Sequence, residues 1–375
     1  MHLLKIDESG ALYDSDEAVD LGQPGGDIVV LTSADTEVAL LAAAVKSCHQ
    51  AGQRLDVRIA NYLSLTHPYS VDLYIQNTIA AARLVVVRLL GGIAYWSYGT
   101  QQLRALAETG TTEIIFLSGD GKPDPELDYL SSASAADCAA LSSYLDAGGS
   151  DNAVAFLQAL QDRLDDTQTA PPPQPLLRAG IYWPDLPVPD LDNLAVHWQE
   201  DAPVVALIFY RALVQAGDLA PIDQMIKSCR AQGLNPLPLF GASLKEAETA
   251  AIIADLLVRA GVSVILNATS FAVSDPATAG DADVSMRSVG PFGAVDAPVL
   301  QIVLASNRQT DWEQSSAGLT ARDLAMNVAL PELDGRVLTR AIGFKRPLVK
   351  DPLTHAMTTG FDPLPERADY VKWPH

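Results

Sequence analysis

The chain has 375 residues, room for two to three domains of about 150 residues each, so it can bury its own cores without disulfide or metal staples. Its 25 Lys and Arg against 46 Asp and Glu leave a net charge of −21, which repels phosphate backbones and anionic lipid and argues against nucleic acid or membrane surfaces as partners. With 48% apolar and 19% charged residues, the sequence carries too much burial potential for a disordered chain.

Residues 27–32 form a β-branched run that passes through Ser33 and Asp35 into the alanine-rich stretch 36–51, closed by Gly52, which reads as strand, turn and helix. The alternation repeats, with strands predicted at 55–60, 84–90 and 113–117 and helices at 70–82 and 101–108. Asp124 and Pro125 supply an N-cap and a first-turn proline for a further helix, and 135–147 and 152–164 read as two more. A polar patch and a run of prolines at 165–175 make a stiff segment and the best domain boundary. Beyond it, strands are predicted at 178–182, 204–210, 237–240, 262–266 and 299–304, and a turn around 331–335 leads into 336–342. Helices are predicted at 221–231 and 247–260, the second opened by a capping box from Ser243 to Glu246. The stretch 274–298, rich in Asp, Ala, Gly and Pro, is long for a connection inside a domain. Repeated βα units predict an α/β protein of two consecutive open, mostly parallel-sheet domains of flavodoxin-like or Rossmann-like type. The expected boundaries are 1–165, a linker at 166–177, a second domain at 178–345, and an irregular or truncated tail at 346–375.

Cys48, Cys138 and Cys229 are widely spaced and lie in no metal-binding pattern, which fits a reducing, cytoplasmic setting. The start lacks the basic and apolar regions of a secretory signal. The apolar stretch 79–90 is interrupted by Arg83 and Arg88 and falls short of the roughly 20 residues that cross a bilayer, so no membrane partner is expected.

Common catalytic motifs do not match. Around Gly119 to Lys122 a phosphate loop would need glycine where Phe116 stands and Ser or Thr where Pro123 stands. Cys48 and His49 are neighbours on a predicted helix and point about 100° apart, so they do not share a metal on their own. What remains is position, because ligands of open parallel sheets collect beyond the carboxyl ends of the strands. That rule selects Ser33, Asp35, Gly91, Gly92, Tyr95, Trp96, Tyr98 and Asp120 in the first half, and Tyr210, Arg211, Asn267, Thr269 and Phe271 in the second. Paired glycines beside three aromatics let backbone approach a flat ligand while rings offer stacking faces; the same residues also suit a tight turn with rings filling a seam. Arg211 can clamp a carboxylate or serve as structural glue among many acids. Glu332 and Asp334 can hold a divalent cation or act as acid and base, or they can simply flank an Asp-Gly turn.

Taken together, several stretches form a series similar to one known family. They are 27–37, 67–74, 87–92 with Tyr95, Trp96, Tyr98 and Gly99, then 209–211, 235–238, 267–269, 298–301 and 322–335. In their order and number they resemble the N-terminal part of the CobN family, the large subunits of aerobic cobaltochelatase, which is related to the porphyrin-binding H subunit of magnesium chelatase. The resemblance implies insertion of Co2+, as a substrate, into the corrin precursor hydrogenobyrinic acid a,c-diamide during cobalamin synthesis. It implies ATP hydrolysed by partner subunits of the CobS and CobT type and not bound here. Joined to the positions selected above, this reading assigns macrocycle or seam contacts to Tyr95, Trp96 and Tyr98 beside Gly91 and Gly92, a peripheral carboxylate to Arg211, and a place in the substrate-binding set to Asn267. Glu332 and Asp334 are expected at the junction with a catalytic part. The family's later G-T-H-G-x-x-E segment is not found here, and from Lys345 the chain is expected to leave the family pattern, as in a fragment, truncated gene or split subunit. Rival readings are a tetrapyrrole carrier or scaffold without chelation, a magnesium chelatase H fragment, and an unrelated two-domain α/β binding protein.

Overall fold

The computed structural model describes residues 18–184, 186, 189–270, 273, 290–314 and 318–364. Contacts divide the chain into two units. The first comprises residues up to 176 with 215–217 and 348–359, and the second comprises 177–214, 218–347 and the residues from 360.

The first unit is built from Val- and Ile-rich strands buried on both faces, the composition a parallel sheet covered by helices requires. Strands β1 (Ile28–Thr32), β2 (Val57–Asn61), β3 (Leu84–Leu89) and β4 (Glu113–Ser118) lie all parallel in the order β2-β1-β3-β4. Between and after them come α1 (Asp35–Gln50), α2 (Pro68–Asn77), α3 (Ser97–Ala107), α4 (Pro125–Leu130), α5 (Ala135–Ala147) and α6 (Ser150–Asp165). Ile28, Val30, Leu84 and Val86 face α1, α5 and α6 in one core, while Val29, Leu31, Val85 and Val87 face α2 and α3 in the other. Asp124 caps α4 through the amides of Glu126 and Leu127 as its sequence predicts. The helix predicted at 70–82 instead stops at Asn77, because the Thr78 hydroxyl donates to the carbonyl of Gln23 at 2.7 Å and the chain tightens into a 3-10 turn over Ile79–Ala81.

The proline-rich stretch, expected as a linker, is held along the first unit. Asp162 accepts hydrogen bonds from the Thr167 and Thr169 hydroxyls and from the amides of Thr169 and Ala170, each at 2.7 Å. Asn152 pairs with the backbone of Gln174 in both directions at 2.8 Å, and the Tyr144 hydroxyl donates to the Pro171 carbonyl.

The second unit contains β5 (Ala179–Ile181), α7 (Leu191–Ala195), β6 (Val204–Tyr210), α8 (Arg211–Ala216, which ends in the first unit), α9 (Ala220–Ala231), β7 (Asn235–Gly241), α10 (Ala247–Arg259), β8 (Val262–Asn267), β9 (Val299–Ala305) and β10 (Val337–Lys345). A helical run over 321–332 precedes β10 and includes a π-helical turn, Ala325–Ala329. Residues 346–364, expected to be irregular, hold three short strands: β11 (Val349–Lys350), β12 (Met357–Thr358) and β13 (Phe361–Pro363). The β11–β12 hairpin belongs to the first unit, whose core takes up Leu353 and Ala356. β13 closes the seven-stranded sheet of the second unit, order β13-β10-β9-β8-β6-β7-β5, in which only the edge strands β5 and β13 run antiparallel.

Candidate functional site

In the first unit the predicted residues gather beyond the carboxyl ends of β1, β3 and β4. Gly91 and Gly92 both adopt φ of 76°, and the Gly91 amide donates to Asp120 at 3.2 Å. A Cβ at Gly91 would lie 2.4 Å from the Tyr95 ring, so glycine lets that ring rest directly on the backbone. The three aromatics do not share one face. Tyr95 is 71% exposed. Trp96 is buried, donates its indole N–H to the Leu65 carbonyl at 2.8 Å and packs against Tyr62, with ring centroids 5.3 Å apart. Tyr98 donates its hydroxyl to Asp72 on α2 at 2.9 Å.

Beneath this surface lies a charged centre that the sequence reading missed. Arg88, the penultimate residue of β3, is buried; its guanidinium pairs with Glu37 in the first turn of α1 and with Asp146 on α5 at 2.6 Å. Glu37 in turn accepts from Thr32 at 2.6 Å, so β1, β3, α1 and α5 are tied at one point. Burial pushes the Asp146 carboxyl up, against the pull of Arg88. Asp146 lines a cleft of about 260 Å3 together with Ser118, Lys122, Asp124, Asp128 and Cys138. Ser33 and Asp35 are also engaged, since the Asn61 side chain donates to the Ser33 carbonyl and to Asp35 at 2.7 Å.

In the second unit, stretches far apart in sequence converge on one buried polar network at the level where β6 and β8 end. Asn267 donates to Gln301 on the adjacent strand at 2.9 Å and to the Thr269 carbonyl, and accepts the Thr269 hydroxyl. Gln301 donates to the same Thr269 carbonyl, and its oxygen faces Arg336 at 3.5 Å. Arg336 pairs with Asp334 at 2.6 Å, with both side chains sealed from solvent, and lies over the Phe292 ring. Its Nε–H finds no acceptor among the described residues. The Asp334 carboxylate also accepts the Val273 amide. The Tyr210 hydroxyl donates to the Ser270 carbonyl, the Ser270 hydroxyl donates to Asn327 in the π-turn, and Asp323 accepts from both the amide and the hydroxyl of Ser306.

Asn267 is therefore wholly internal, with its side-chain groups engaged by Gln301 and by the turn that follows it. Glu332 is exposed while the Asp334 carboxylate is sealed onto Arg336, so the structure does not bring these two acids together. Arg211, half-buried at the start of α8, donates from Nε to the Leu177 carbonyl at 2.9 Å, and its charge is disfavoured by burial and by Arg178. Phe271 lies outside the described residues, as do 274–289 of the long connection. Sequence reasoning passed over Arg88, Gln301, Asn327 and Arg336. The available signal was a polar residue inside or next to an apolar strand or helix, because a buried polar group must find partners.

Among the described residues no group of three His, Cys, Asp or Glu side chains could hold a metal ion, and no helix is long and apolar enough to cross a membrane. The three thiols are buried; burial raises all of them, Cys229 to about 11.

Comparison with known proteins adds a consistent set of likenesses. The profile of the family described as CobN/Magnesium Chelatase matches residues 142–372, so the match continues well past Lys345, where the sequence was expected to leave the family pattern. The chain is 41% identical over 386 aligned positions to the aerobic cobaltochelatase subunit CobN of a Sinorhizobium species, covering 99% of this chain and 29% of that protein. It is 40% identical to the subunit of the same name from Pseudomonas aeruginosa, over 92% of this chain and 27% of the relative. Among solved structures, the catalytic subunit of cobaltochelatase from Mycobacterium tuberculosis superposes with a TM-score of 0.69 at 25% identity, over 91% of this chain and 26% of that one. The chain thus spans less than a third of the length of each of these relatives.

Proposed function

The chain belongs to the CobN/magnesium chelatase family, and from that premise we propose that it is a substrate-recognising portion of a cobaltochelatase large subunit. In this reading two lobes of flavodoxin-like or Rossmann-like type bind a corrin precursor, hydrogenobyrinic acid a,c-diamide, for Co2+ insertion in cobalamin synthesis. ATP is hydrolysed by partner subunits of the CobS and CobT type in the cytoplasm. The reaction must remove two pyrrole protons and strip water from the metal while the ring is bent, which calls for a wall that grips a flat acid firmly.

The observation that carries the proposal is convergence. Four stretches on which the family resemblance rests, 209–211, 267–269, 298–301 and 322–335, meet at the second unit's buried network, while 27–37 and 87–92 meet at Arg88 and 67–74 reaches Tyr98 through Asp72. We assign the macrocycle contact to the exposed ring of Tyr95 on Gly91 and Gly92, with Trp96 and Tyr98 setting the shape beneath it, and in the second unit a peripheral carboxylate to Arg211, with Asn267 holding the turn after β8.

Titration of the full chain with the corrin precursor, followed by absorbance, tests this. Tyr95→Ala is expected to weaken binding about tenfold while leaving the fold intact. Trp96→Ala is expected to cost about 3–5 kcal/mol of stability, as loss of a core ring does. Unchanged affinity in Tyr95→Ala removes the assigned contact, and no spectral response from the wild-type chain removes the substrate proposal. Binding without cobalt uptake in the presence of the partner ATPases would favour a carrier.

A further inference from the structure

The winding of the second unit's parallel strands reverses at β6: the chain leaves β6 for β7 on one side and then crosses to β8 on the other. Ligands of open sheets gather outside the carboxyl ends of the strands at such a switch point, and Arg211 is the first residue past the end of β6. Toward β8 the place is already filled, by the Tyr210 hydroxyl on the Ser270 carbonyl and by Asn267 on Gln301. Toward β7 it is charged. Arg211 donates from Nε to the Leu177 carbonyl at 2.9 Å, which brings its guanidinium to the backbone next to Arg178. Arg178 precedes the edge strand β5 at the level where β7 ends at Gly241, so both arginines stand at the same end of the sheet. This pairing occurs in a chain of net charge −21, and the charge of Arg211 is disfavoured by burial and by Arg178 and favoured by Glu246.

Glu246 is the odd member of this group. The sequence predicts that it completes a capping box with Ser243, but in the structure it stands itself at the N-cap of α10 and makes no side-chain cap. Its carboxylate goes to Arg178 at 2.8 Å instead, with the two side chains 42% and 61% exposed. So wet a pair contributes little to stability, and a better-placed anion can replace it. We propose that Arg178 and Arg211 form a two-armed clamp for a carboxylate group of the substrate, and that Glu246 is the resident counter-ion which this carboxylate displaces. The inference rests on the assignment of Arg211 above and adds to it a second arm and a competitor. An incoming carboxylate can take forked N–H donors with both oxygens, whereas Glu246 meets Arg178 through one oxygen that it shares with the Thr249 hydroxyl. Once displaced, Glu246 is exposed enough to hydrate.

The test titrates the full chain with the corrin precursor, followed by absorbance, and with tricarballylate, a small tricarboxylate without a ring, followed by the arginine Nε–Hε resonances. Glu246→Gln should tighten both about fivefold, because the competing charge is removed while the length of the side chain is kept. A residue that served only the fold would not tighten binding when lost. Arg178→Met should weaken both about tenfold, and Arg178→Lys by less, since an ammonium keeps the charge but not the fork. The melting temperature of Arg178→Met should stay within about 2 °C of the wild type, because the side chain is largely exposed and its loss relieves Arg211, so weaker binding there is not unfolding. Unchanged or weaker binding in Glu246→Gln would overturn the exchange, and unchanged binding in Arg178→Met would overturn the clamp. Inorganic phosphate binding more tightly than tricarballylate to the wild type would overturn the choice of a carboxylate. If tricarballylate follows the expected pattern while the precursor gives no response, the clamp stands and the corrin reading falls. If the precursor responds to Tyr95→Ala but not to the changes at Arg178 and Glu246, the corrin reading stands and the clamp falls.

Discussion

Arg88 in the first unit and Arg336 in the second are both buried in polar networks, and the two are solved differently. In the first unit Arg88 is 8% exposed at its side chain, but its carboxylate partners Glu37 and Asp146 are 20% and 36% exposed and one of them edges a cleft. In the second unit Arg336 and Asp334 are 0% and 1% exposed, with Arg336 facing the Gln301 side-chain oxygen and Asp334 accepting the Val273 backbone amide. The difference is in who can be rescued by water. A partly wet triad can reorganise when one member is lost. A sealed pair cannot, because the charge left behind has no solvent to turn to.

The largest effect should therefore follow from Arg336→Met, which strands Asp334 in a dry site and is expected to cost about 3–5 kcal/mol in denaturant unfolding. Removing both charges, in R336M/D334L, should recover most of that loss, because the desolvation burden disappears with the pair. Arg88→Met should cost less, about 2 kcal/mol, since Glu37 and Asp146 can hydrate. Equal losses at the two arginines, or no recovery in the double variant, would break the contrast.

The same contrast explains what sequence reading could reach. The valine-rich strands 28–32, 84–89 and 113–118 declare themselves by composition, and the cap at Asp124 is a local signal, so the first sheet is readable residue by residue. The end of α2 is not, because Thr78 is captured by a residue 55 positions away. Nor are residues 346–364, whose strands are short and acquire meaning only from β10 and from the first core. At the candidate site the position rule selects the glycines and Tyr95, but adjacency in sequence says nothing of direction, and Trp96 points inward where Tyr95 points out. Gln301 and Arg336 could be joined to Asn267 only once the strand order put β8 beside β9 and β9 beside β10.

Two carboxylates extend the contrast from arginines to acids, with opposite signs. Burial raises Asp162, but hydrogen bonds from Thr167, Thr169 and Ala170 outweigh it and hold the carboxyl at about 2. A group depressed in the folded state stabilises above its ordinary value and loses that contribution as pH falls through the folded one. Melting between pH 4 and pH 2 should thus drop by an amount worth about 1–2 kcal/mol, and Asp162→Asn should be less stable at neutral pH with a flatter acid limb. An acid limb unchanged by that substitution would show that the proline-rich stretch is not held by this charge.

Asp218 is the reverse case and the smallest expected effect. It accepts the Phe361 amide through both oxygens at 3.0 Å, and Gly360 sits so close that an added Cβ would lie 3.0 Å from the carboxylate. Burial nevertheless raises its pKa, against the pull of the Phe361 amide and Arg346 and with help from the negative charge of Asp362. The ionised form is then the costly one, so stability should rise as pH falls through the folded value, opposite in sign to Asp162. Asp218→Asn keeps an oxygen for the Phe361 amide without the charge, and should raise the melting temperature at pH 7 by about 2 °C while removing the gain on acidification. A lower melting temperature in that variant would mean that Arg346 and the amide repay the cost of burying the charge, and that the anchoring of β13 depends on ionisation after all.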